Sequence, residues 1–273
     1  MQLIETIRQD LAKIREKRPL VHSITNLVVM NETANAILCL GALPIMAHAK
    51  EEVEEMVAMA GALVLNIGTL EPDWIDAMEL AGRRANELGI PVILDPVGAG
   101  ATKLRTDSSK RLMENVKISI VRGNAAEVAT LAGLSSEIRG VESISASGMT
   151  GTAAREFAAA FKCTVAITGV TDIVSDGKNT ARISNGHAMM GKVVGTGCIS
   201  NVIIASFAAV EPDPFIAATG GLVAFGIAGE MAAKEAPEKP GTFHTELYNG
   251  LYALDSTTLA RLARVDVSTE GGS

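Results

Sequence analysis

A chain of 273 residues, 48% hydrophobic but only 3% aromatic, is long enough for a single α/β domain whose core is filled by closely packed aliphatic side chains. The formal net charge of −7 is offset by no basic tract, which argues against a nucleic-acid partner or an anionic membrane surface. Three cysteines at unrelated spacings match no zinc pattern and follow no signal peptide, so we expect free thiols in a reduced, cytoplasmic setting.

The first part of the chain alternates helical and strand patterns. Apolar residues at helical spacing predict a helix over residues 2–17, and a strand follows over 20–25. Asn26 is in position to cap a second helix, which Gly41 ends after residue 40. A short strand over 43–46 completes this part of the chain.

Short runs rich in β-branched residues then recur, separated by helical segments. They span residues 62–67, 92–95, 118–121 and 165–168. Because their hydrophobicity is continuous rather than alternating, we expect both faces of each strand to be covered, as in a largely parallel sheet between two layers of helices. Each run ends in a polar residue or a glycine, and ligands of open α/β sheets bind at these carboxyl ends. The ends therefore predict one shared crevice.

A hairpin and a glycine-rich loop are predicted in the second half of the chain. Residues 172–175 and 181–184 are short strand-like pieces joined by a turn, which predicts a hairpin extending one edge of the sheet. The loop over 140–151 is rich in glycine and serine, and we expect it to be mobile.

The remainder of the chain reads as helical, from residue 215 to about 264. The apolar run over 199–236 is long enough to suggest a membrane span, but Glu-Pro-Asp-Pro at 211–214 interrupts it and its glycines suit tight helix packing in a core. With no internal repeat and no linker, we expect one domain over residues 1–267 and a disordered tail over 268–273.

A glycine loop precedes this last apolar run. Gly195 and Gly197 stand directly before Cys198, in the sequence VVGTGCIS at 193–200. Glycines let the backbone turn tightly, and free N–H groups of a first helical turn point outward at the positive end of the dipole, so the loop predicts an anion site. In that turn we expect Cys198 to have a lowered pKa and to be reactive. The alternative is a loop between core elements with an inert cysteine.

Two carboxylates stand at the predicted crevice. Asp95 closes the strand over 92–95, and Glu127 lies in the first turn of a helix that Asn124 can cap. Mg²⁺ takes hard oxygen ligands, often one or two carboxylates with water and substrate phosphates, and this pair fits that role. The alternative is that Glu127 complements the helix dipole and Asp95 accepts hydrogen bonds from its loop.

Arg122 and Thr168 stand at the ends of the next two strands. The planar guanidinium of Arg122 suits a polyphosphate, and Thr168 can donate to a phosphate oxygen. An ordinary salt bridge for Arg122 and a loop carbonyl for Thr168 are the competing interpretations. Met46, at the end of the short second strand, either belongs to the core or lines the crevice.

An ordered series of short segments resembles the hydroxyethylthiazole kinase family. The segments are HSITN at 22–26, NIGT at 66–69, LDPVGAG at 94–100, RGNAAE at 122–127 and GTGC at 195–198. The match extends from about Pro19 to the C-terminal helices. It implies a ribokinase-like, three-layer α/β/α fold and the phosphorylation of the primary hydroxyl of 4-methyl-5-(2-hydroxyethyl)thiazole by ATP and Mg²⁺ in thiamine salvage. It also implies homotrimers with active sites at the subunit contacts.

The resemblance implies roles for individual residues. ATP is expected to contact Arg122, Thr168 and Gly197. Magnesium is expected to bind Asp95 and Glu127. The thiazole is expected to lie among Asn26, Met46, Gly68 and Gly195. Cys198 is implied to be catalytic. It would orient the alcohol, and it is only a weak candidate for the base that accepts the alcohol's proton. The wider superfamily has an aspartate base where Cys198 stands, so the cysteine favours the thiazole kinases.

Other functions stay open on the sequence alone. One is a kinase for another small alcohol, such as hydroxymethylpyrimidine. A second is an ATP-dependent hydrate dehydratase on the same fold, in which we expect an aspartate in place of Cys198. A third is a hydrolase with Cys198 as nucleophile and His187 as base. The last is a nucleotide-binding module without catalytic activity.

Overall fold

The computed structural model describes residues 2–133 and 151–269. Strands β1 to β9 are Leu20–Ile24, Leu43–Ile45, Ala62–Asn66, Val92–Asp95, Ile120–Asn124, Thr164–Thr168, Asp172–Ser175, Asn179–Ile183 and Val265–Thr269. Helices α1 to α11 are Gln2–Lys17, Met30–Leu40, Val53–Ala58, Pro72–Leu88, Lys103–Asn115, Ala125–Ala132, Gly151–Phe161, Thr196–Ala208, Pro214–Glu235, Pro240–Ala253 and Ser256–Leu262. A short 3₁₀ helix, Ala188–Lys192, precedes α8.

The strands form one nine-stranded sheet in the order β2-β1-β3-β4-β5-β6-β7-β8-β9. Strands β1 to β6 pair in parallel, whereas β7, β8 and β9 are antiparallel to their neighbours. Successive side chains of a strand point to opposite faces, so each central strand contributes to two cores. In β3, Val64 packs on one face, while Leu63 and Leu65 pack on the other.

Helices cover both faces of this sheet. One core contains the buried residues of α1, α2 and α8 to α11, and the other contains those of α3 to α7. The predicted three-layer α/β/α architecture with a largely parallel sheet is therefore confirmed. The continuous hydrophobicity of the central strands follows from this burial on both sides.

Helix α2 ends where the sequence predicted but begins later. Gly41 follows it with φ of +116°, a left-handed conformation in which glycine carries no steric penalty. The prediction that Asn26 caps this helix is wrong, because the helix starts at Met30 and its cap position is Val29. Asn26 instead accepts hydrogen bonds from the N–H groups of Val28 and Val29, at 3.0 and 3.2 Å, which closes a turn before the helix.

Among the described residues, α9 is the helix long and apolar enough to cross a membrane. Of its most apolar stretch, 83% of the residues are buried inside the fold. Its apolar surface is thus used in packing, above all against α8 and α10.

The predicted hairpin is confirmed as β7 and β8, but β9 lies beyond it at the edge of the sheet. Ser268 and Thr269, expected in a disordered tail, lie in β9 and pair with Thr180 and Asn179. The open edge of β8 supplies backbone partners that the polar sequence of β9 does not reveal. Residues 140–150, where we expected a mobile loop, and residues 270–273 of the expected tail lie outside the described residues.

Candidate active site

Four polar residues at the ends of strands lie on the same face of the sheet, the face covered by α8. Three of them were predicted to belong to the site. Each stands two positions after an apolar residue of the core on that face, so the two-residue period of a strand brings it to the same side. The four are Asn66, Asp95, Arg122 and Thr168, which follow Val64, Ile93, Ile120 and Ala166. The N-terminus of α8 contacts this row of side chains.

Both glycines at the start of α8 lie close to other groups of the site. Gly195 occupies the cap position with φ of +89°, and a Cβ there would lie 2.7 Å from Cγ1 of Val29. A Cβ on Gly197 would lie 2.9 Å from Nη1 of Arg122. The first-turn N–H groups, which have no partner within the helix, therefore lie directly beside a guanidinium. This combination of dipole and cation favours an anion, as the glycine loop predicted.

Cys198 lies in the first turn of α8, as predicted, but its pKa moves in the opposite direction from the one expected. Its sulfur accepts hydrogen bonds from Nδ2 of Asn26 at 3.5 Å and from Nδ2 of Asn66 at 3.3 Å. Burial raises the pKa of the thiol to about 11, and the negative charge of Asp95 acts in the same direction. These effects outweigh the hydrogen bonds from Asn66 and Asn26 and the positive charge of Arg122, so Cys198 is a neutral thiol at physiological pH.

Asp95 is fully buried and has one oxygen free of hydrogen bonds. Its Oδ2 accepts from Nδ2 of Asn66 at 2.6 Å, whereas Oδ1 accepts no hydrogen bond from the described residues and lies 3.6 Å from Nη1 of Arg122. Burial raises the pKa of this carboxyl to about 6; the positive charge of Arg122 opposes the rise and the carboxylate of Glu127 adds to it. A buried carboxylate oxygen without a donor is suited to a cation.

Asn124 caps α6 as predicted, and Glu127 takes part in that cap. It forms a capping box with Asn124: its Oε2 accepts from the Asn124 N–H at 2.8 Å, and Asn124 accepts from the Glu127 N–H at 3.0 Å. Its other oxygen, Oε1, accepts from the Gly98 N–H at 2.8 Å. Glu127 thereby joins the loop after β4 to the start of α6.

These carboxylates do not enclose a cation by themselves. Within residues 2–133 and 151–269, no cluster of three or more acidic, histidine or cysteine side chains could hold a metal ion. The donors available are the free Oδ1 of Asp95 and the remaining lone pairs of Glu127. Such a donor set fits Mg²⁺, which keeps several waters and is completed by substrate phosphates.

Arg122 and Thr168 are in contact and line a cavity. Nη2 of Arg122 donates to Oγ1 of Thr168 at 2.7 Å. The cavity has a volume of about 500 Å³ and extends from these two residues to Leu222 and Phe225. It is large enough for a small ligand, and its lining combines polar side chains, Arg122 and Thr168 among them, with apolar ones.

The predicted thiazole residues are only partly brought together. Nδ2 of Asn26 donates to Oδ1 of Asn66 at 2.8 Å, and a Cβ on Gly68 would lie 2.6 Å from that same nitrogen. Gly195 lies beside Val29, a residue whose N–H donates to Asn26. Met46 follows the neighbouring strand β2 and packs partly buried against the core, with no hydrogen-bonded link to the other three.

Two residues that connect the site were not predicted from the sequence. Asn66 bonds to Asn26, Asp95 and Cys198, and its only sequence signal is a polar side chain at a strand end. Arg105 donates to three backbone carbonyls beneath the loops of the site. No sequence signal identifies it, because its partners lie on loops before its own helix.

The pairing of Cys198 with His187 that a hydrolase requires is not found in the described residues. The sulfur of Cys198 contacts the amides of Asn26 and Asn66, whereas Nδ1 of His187 accepts from the N–H of Met189 at 3.2 Å. Without His187 beside it, and with its pKa raised by burial and by the charge of Asp95, this thiol is a poor nucleophile.

Comparison with known proteins shows the family of the chain. The sequence pattern that defines the hydroxyethylthiazole kinase family matches residues 11–257. The chain belongs to the hydroxyethylthiazole kinase family. It is 52% identical over 269 residues to the hydroxyethylthiazole kinase of Roseiflexus sp., with 98% of both chains covered. As a member of this family it is a phosphotransferase, and ATP is the co-substrate that a kinase requires.

Solved structures give the same fold. The hydroxyethylthiazole kinase protein of Pyrococcus horikoshii matches with a TM-score of 0.89 and 46% identity, over 96% of this chain and 99% of that one. A ribokinase-like superfamily protein of Enterococcus faecalis matches with a TM-score of 0.65 at 11% identity, over 91% of this chain and 95% of that one. The second match shows the ribokinase-like fold alone.

Proposed function

We propose that this kinase transfers the γ-phosphoryl group of ATP to the primary hydroxyl of 4-methyl-5-(2-hydroxyethyl)thiazole, in thiamine salvage. The observation that carries the proposal is the meeting of the α8 N-terminus, Arg122 and Cys198 at one point, because Gly197 lies against the guanidinium on one side and is followed by the thiol. Phosphoryl transfer depends on positioning and charge stabilisation, and this point offers both.

ATP is assigned to the cavity of about 500 Å³. The polar end, with Arg122 and Thr168, faces the phosphates, and the first-turn N–H groups around Gly197 receive charge that develops on the γ-phosphoryl oxygens. The apolar walls that include Leu222 and Phe225 are left for the base.

Asp95 and Glu127 are the residues that would hold Mg²⁺. The free oxygen of Asp95 and the position of Glu127 beside it support this assignment. Bound there with the phosphates, the ion supplies positive charge against the charge of the transferring group.

The thiazole is assigned to Asn26, Met46, Gly68 and Gly195, with its hydroxyl against Cys198. The hydroxyl oxygen attacks the γ-phosphorus, the new O–P bond forms as the bond to the β–γ bridging oxygen breaks, and ADP leaves with that oxygen. Because the transition state is loose, the alcohol gives up its proton late, to an oxygen of the transferred phosphoryl group, so no strong base is needed. A neutral Cys198 therefore orients the alcohol rather than removing its proton.

We also propose that the enzyme is cytoplasmic and works as a homotrimer, with part of the pocket supplied by a neighbour. Three apolar side chains flank the thiazole residues and are exposed in the single chain: Leu27 at 66%, Val28 at 60% and Val194 at 69%. Exposed apolar groups beside a site favour coverage by another protein surface. The charge of −7 counts against nucleic acid and anionic membrane as partners.

The test is ADP release from ATP and Mg²⁺ with and without hydroxyethylthiazole, with hydroxymethylpyrimidine as the control alcohol. We expect ADP only with the thiazole, and one thiazole phosphate for each ADP. Equal release with the pyrimidine would assign a different acceptor. ATP binding without any release would leave a nucleotide-binding module and contradict the proposal.

A further inference from the structure

Arg105 links the two loops that follow β3 and β4. It lies in the first turn of α5, where its N–H donates to the capping side chain of Thr102 at 3.3 Å. From there the guanidinium turns back to the sheet. Nη1 donates to the carbonyl oxygens of Val97 at 2.8 Å and Ile67 at 3.0 Å, and Nη2 donates to that of Gly68 at 2.8 Å.

Both loops carry groups of the proposed site. In the first loop, the Gly68 N–H donates to Oδ1 of Asn66 at 2.9 Å, and the amide of Asn66 reaches Asp95. In the second loop, the N–H of Gly98 donates to Oε1 of Glu127 at 2.8 Å. A single side chain therefore sets the separation of the loop beside the thiazole residues and the loop beside the two carboxylates.

The contacts of Arg105 are of a kind that only arginine supplies. Among the described residues no carboxylate lies within salt-bridge distance of it, so its charge is directed wholly at loop carbonyls. Its planar fork serves both loops at once, which the single ammonium of lysine cannot reproduce. Gly98 has φ of +73°, and a Cβ there would lie 3.0 Å from Cδ of Arg105, so the stem packs directly beneath the loop.

We propose that Arg105 is a positioning residue for phosphoryl transfer. It contacts neither the alcohol nor ATP in this arrangement; it acts by fixing Gly68 relative to Gly98, and through them the acceptor side of the site relative to Asp95 and Glu127. The inference rests on the proposed function. A misplacement of about 1 Å between reacting groups is enough to lower a rate on the order of 100-fold.

Arg105→Lys tests this proposal, because it keeps the charge and the stem but loses the fork. We expect kcat to fall on the order of 10- to 100-fold, while the Kd of ATP, measured by calorimetry without thiazole, changes less than about twofold. Arg111→Lys is the matched control, since Arg111 is on the same helix but pairs at the surface with Asp76 and Glu79. A folded Arg105→Lys variant with unchanged kcat would overturn the proposal.

Hydrogen exchange gives a second readout that does not depend on turnover. Amides of residues 66–70 and 97–100 are expected to exchange faster in Arg105→Lys than in the wild type, with α9 unchanged. Unchanged exchange in both loops would overturn the positioning role. If the wild type shows no thiazole-dependent ADP release, the proposed function fails, and this measurement alone decides the role of Arg105. Should Arg105→Lys not fold, Arg105→Gln undergoes the same two measurements.

Discussion

At the scale of single residues, burial raises the pKa of Cys198 although this residue lies in the first turn of a helix. The field of a helix N-terminus favours a thiolate, but the thiol is removed from water and lies beside Asp95. With a pKa raised to about 11, the thiolate fraction at pH 7.5 is on the order of 1 in 1,000 or less.

We therefore expect iodoacetamide at pH 7.5 to modify Cys198 in the folded protein far more slowly than free cysteine in the same tube. The measurement is mass spectrometry of tryptic peptides over time. Cys163, buried and with a pKa raised to about 12, serves as the internal standard for an unreactive thiol. Unfolding in urea should bring both to the same rate, and labelling of folded Cys198 at the rate of free cysteine would contradict the prediction.

Substitution tests the role of the same residue in turnover. Cys198→Ala is expected to lower kcat without abolishing ATP binding, because the alcohol loses its orienting contact while Arg122 and Thr168 remain. Steady-state kinetics and calorimetry measure the two effects. Unchanged turnover would remove Cys198 from the mechanism.

Asp172 makes the free energy of unfolding depend on pH. Burial raises its pKa from 3.8 to about 6, against the Gly169 N–H and the charge of Arg122. The folded state then binds this proton more tightly than the unfolded chain. The contribution of protonated Asp172 to the free energy of unfolding is therefore fully present below about pH 4 and is lost as the pH rises from about 4 to 6. Asp172→Asn is expected to be more stable than the wild type by about 1–2 kcal/mol at pH 7.5, and by almost nothing at pH 4.

Urea unfolding at the two pH values measures this difference. Asp176→Asn is the control of opposite sign: burial raises the pKa of Asp176, but hydrogen bonds from Asn179 and Lys178 outweigh it and the pKa is lowered. That variant should lose stability at pH 7.5. An Asp172→Asn gain that is equal at both pH values would contradict the linkage.

At the scale of elements, the contact of α8 with α9 is close enough to exclude a methyl group. A Cβ on Gly221 would lie 2.6 Å from Cα and 2.8 Å from N of Ile204, so backbone rather than a movable side chain blocks it. This contact also holds α8, whose N-terminus carries Gly197 and Cys198.

Gly221→Ala is expected to lower the free energy of unfolding by about 2–3 kcal/mol, because the two helices must separate. Gly241→Ala in α10 is the matched control: nothing lies within 4 Å of its added Cβ, so we expect a change between zero and a gain of about 1 kcal/mol. Denaturant midpoints compare the variants. Equal midpoints for the two would contradict the close packing.

The elements were largely predictable from the sequence, whereas their contacts were not. Continuous apolar runs identified the parallel strands, and residue types at their ends identified Asp95 and Arg122 as members of one crevice. The role of Asn66 could not be predicted, because it depends on which strands are neighbours. Asn26 was misplaced as a cap, since the turn of Val28 and Val29 delays the helix. The pKa of Cys198 depends on burial that no local pattern reports.

At the scale of the whole molecule, the single sheet supports our proposal of one domain, and the exposed apolar group Leu27, Val28 and Val194 supports the proposed trimer. A wild-type mass of three times 28.4 kDa is expected by light scattering. Leu27→Asp should dissociate the assembly, because a charge at a buried contact is unpaired, and should lower thiazole-dependent turnover while ATP still binds.

Met59→Asp is the control for that substitution. Met59 is similarly exposed, at 63%, but lies after α3 on the other layer. We expect its mass and turnover to match those of the wild type. A wild-type mass of 28.4 kDa would contradict the trimer.

The wall of the cavity that we propose for ATP is held by a residue far along the chain. Arg264 donates from Nη2 to the Ser184 carbonyl at 2.7 Å and to Oε1 of Glu230 at 2.5 Å, and Glu230 accepts from the Gly186 N–H at 2.8 Å. Ser184 is therefore translated 80 residues before the side chain that anchors it. A chain released before residue 264 would contain every residue that lines this cavity but lack the side chain that anchors Ser184, so we expect it to bind ATP more weakly than a chain that includes Arg264.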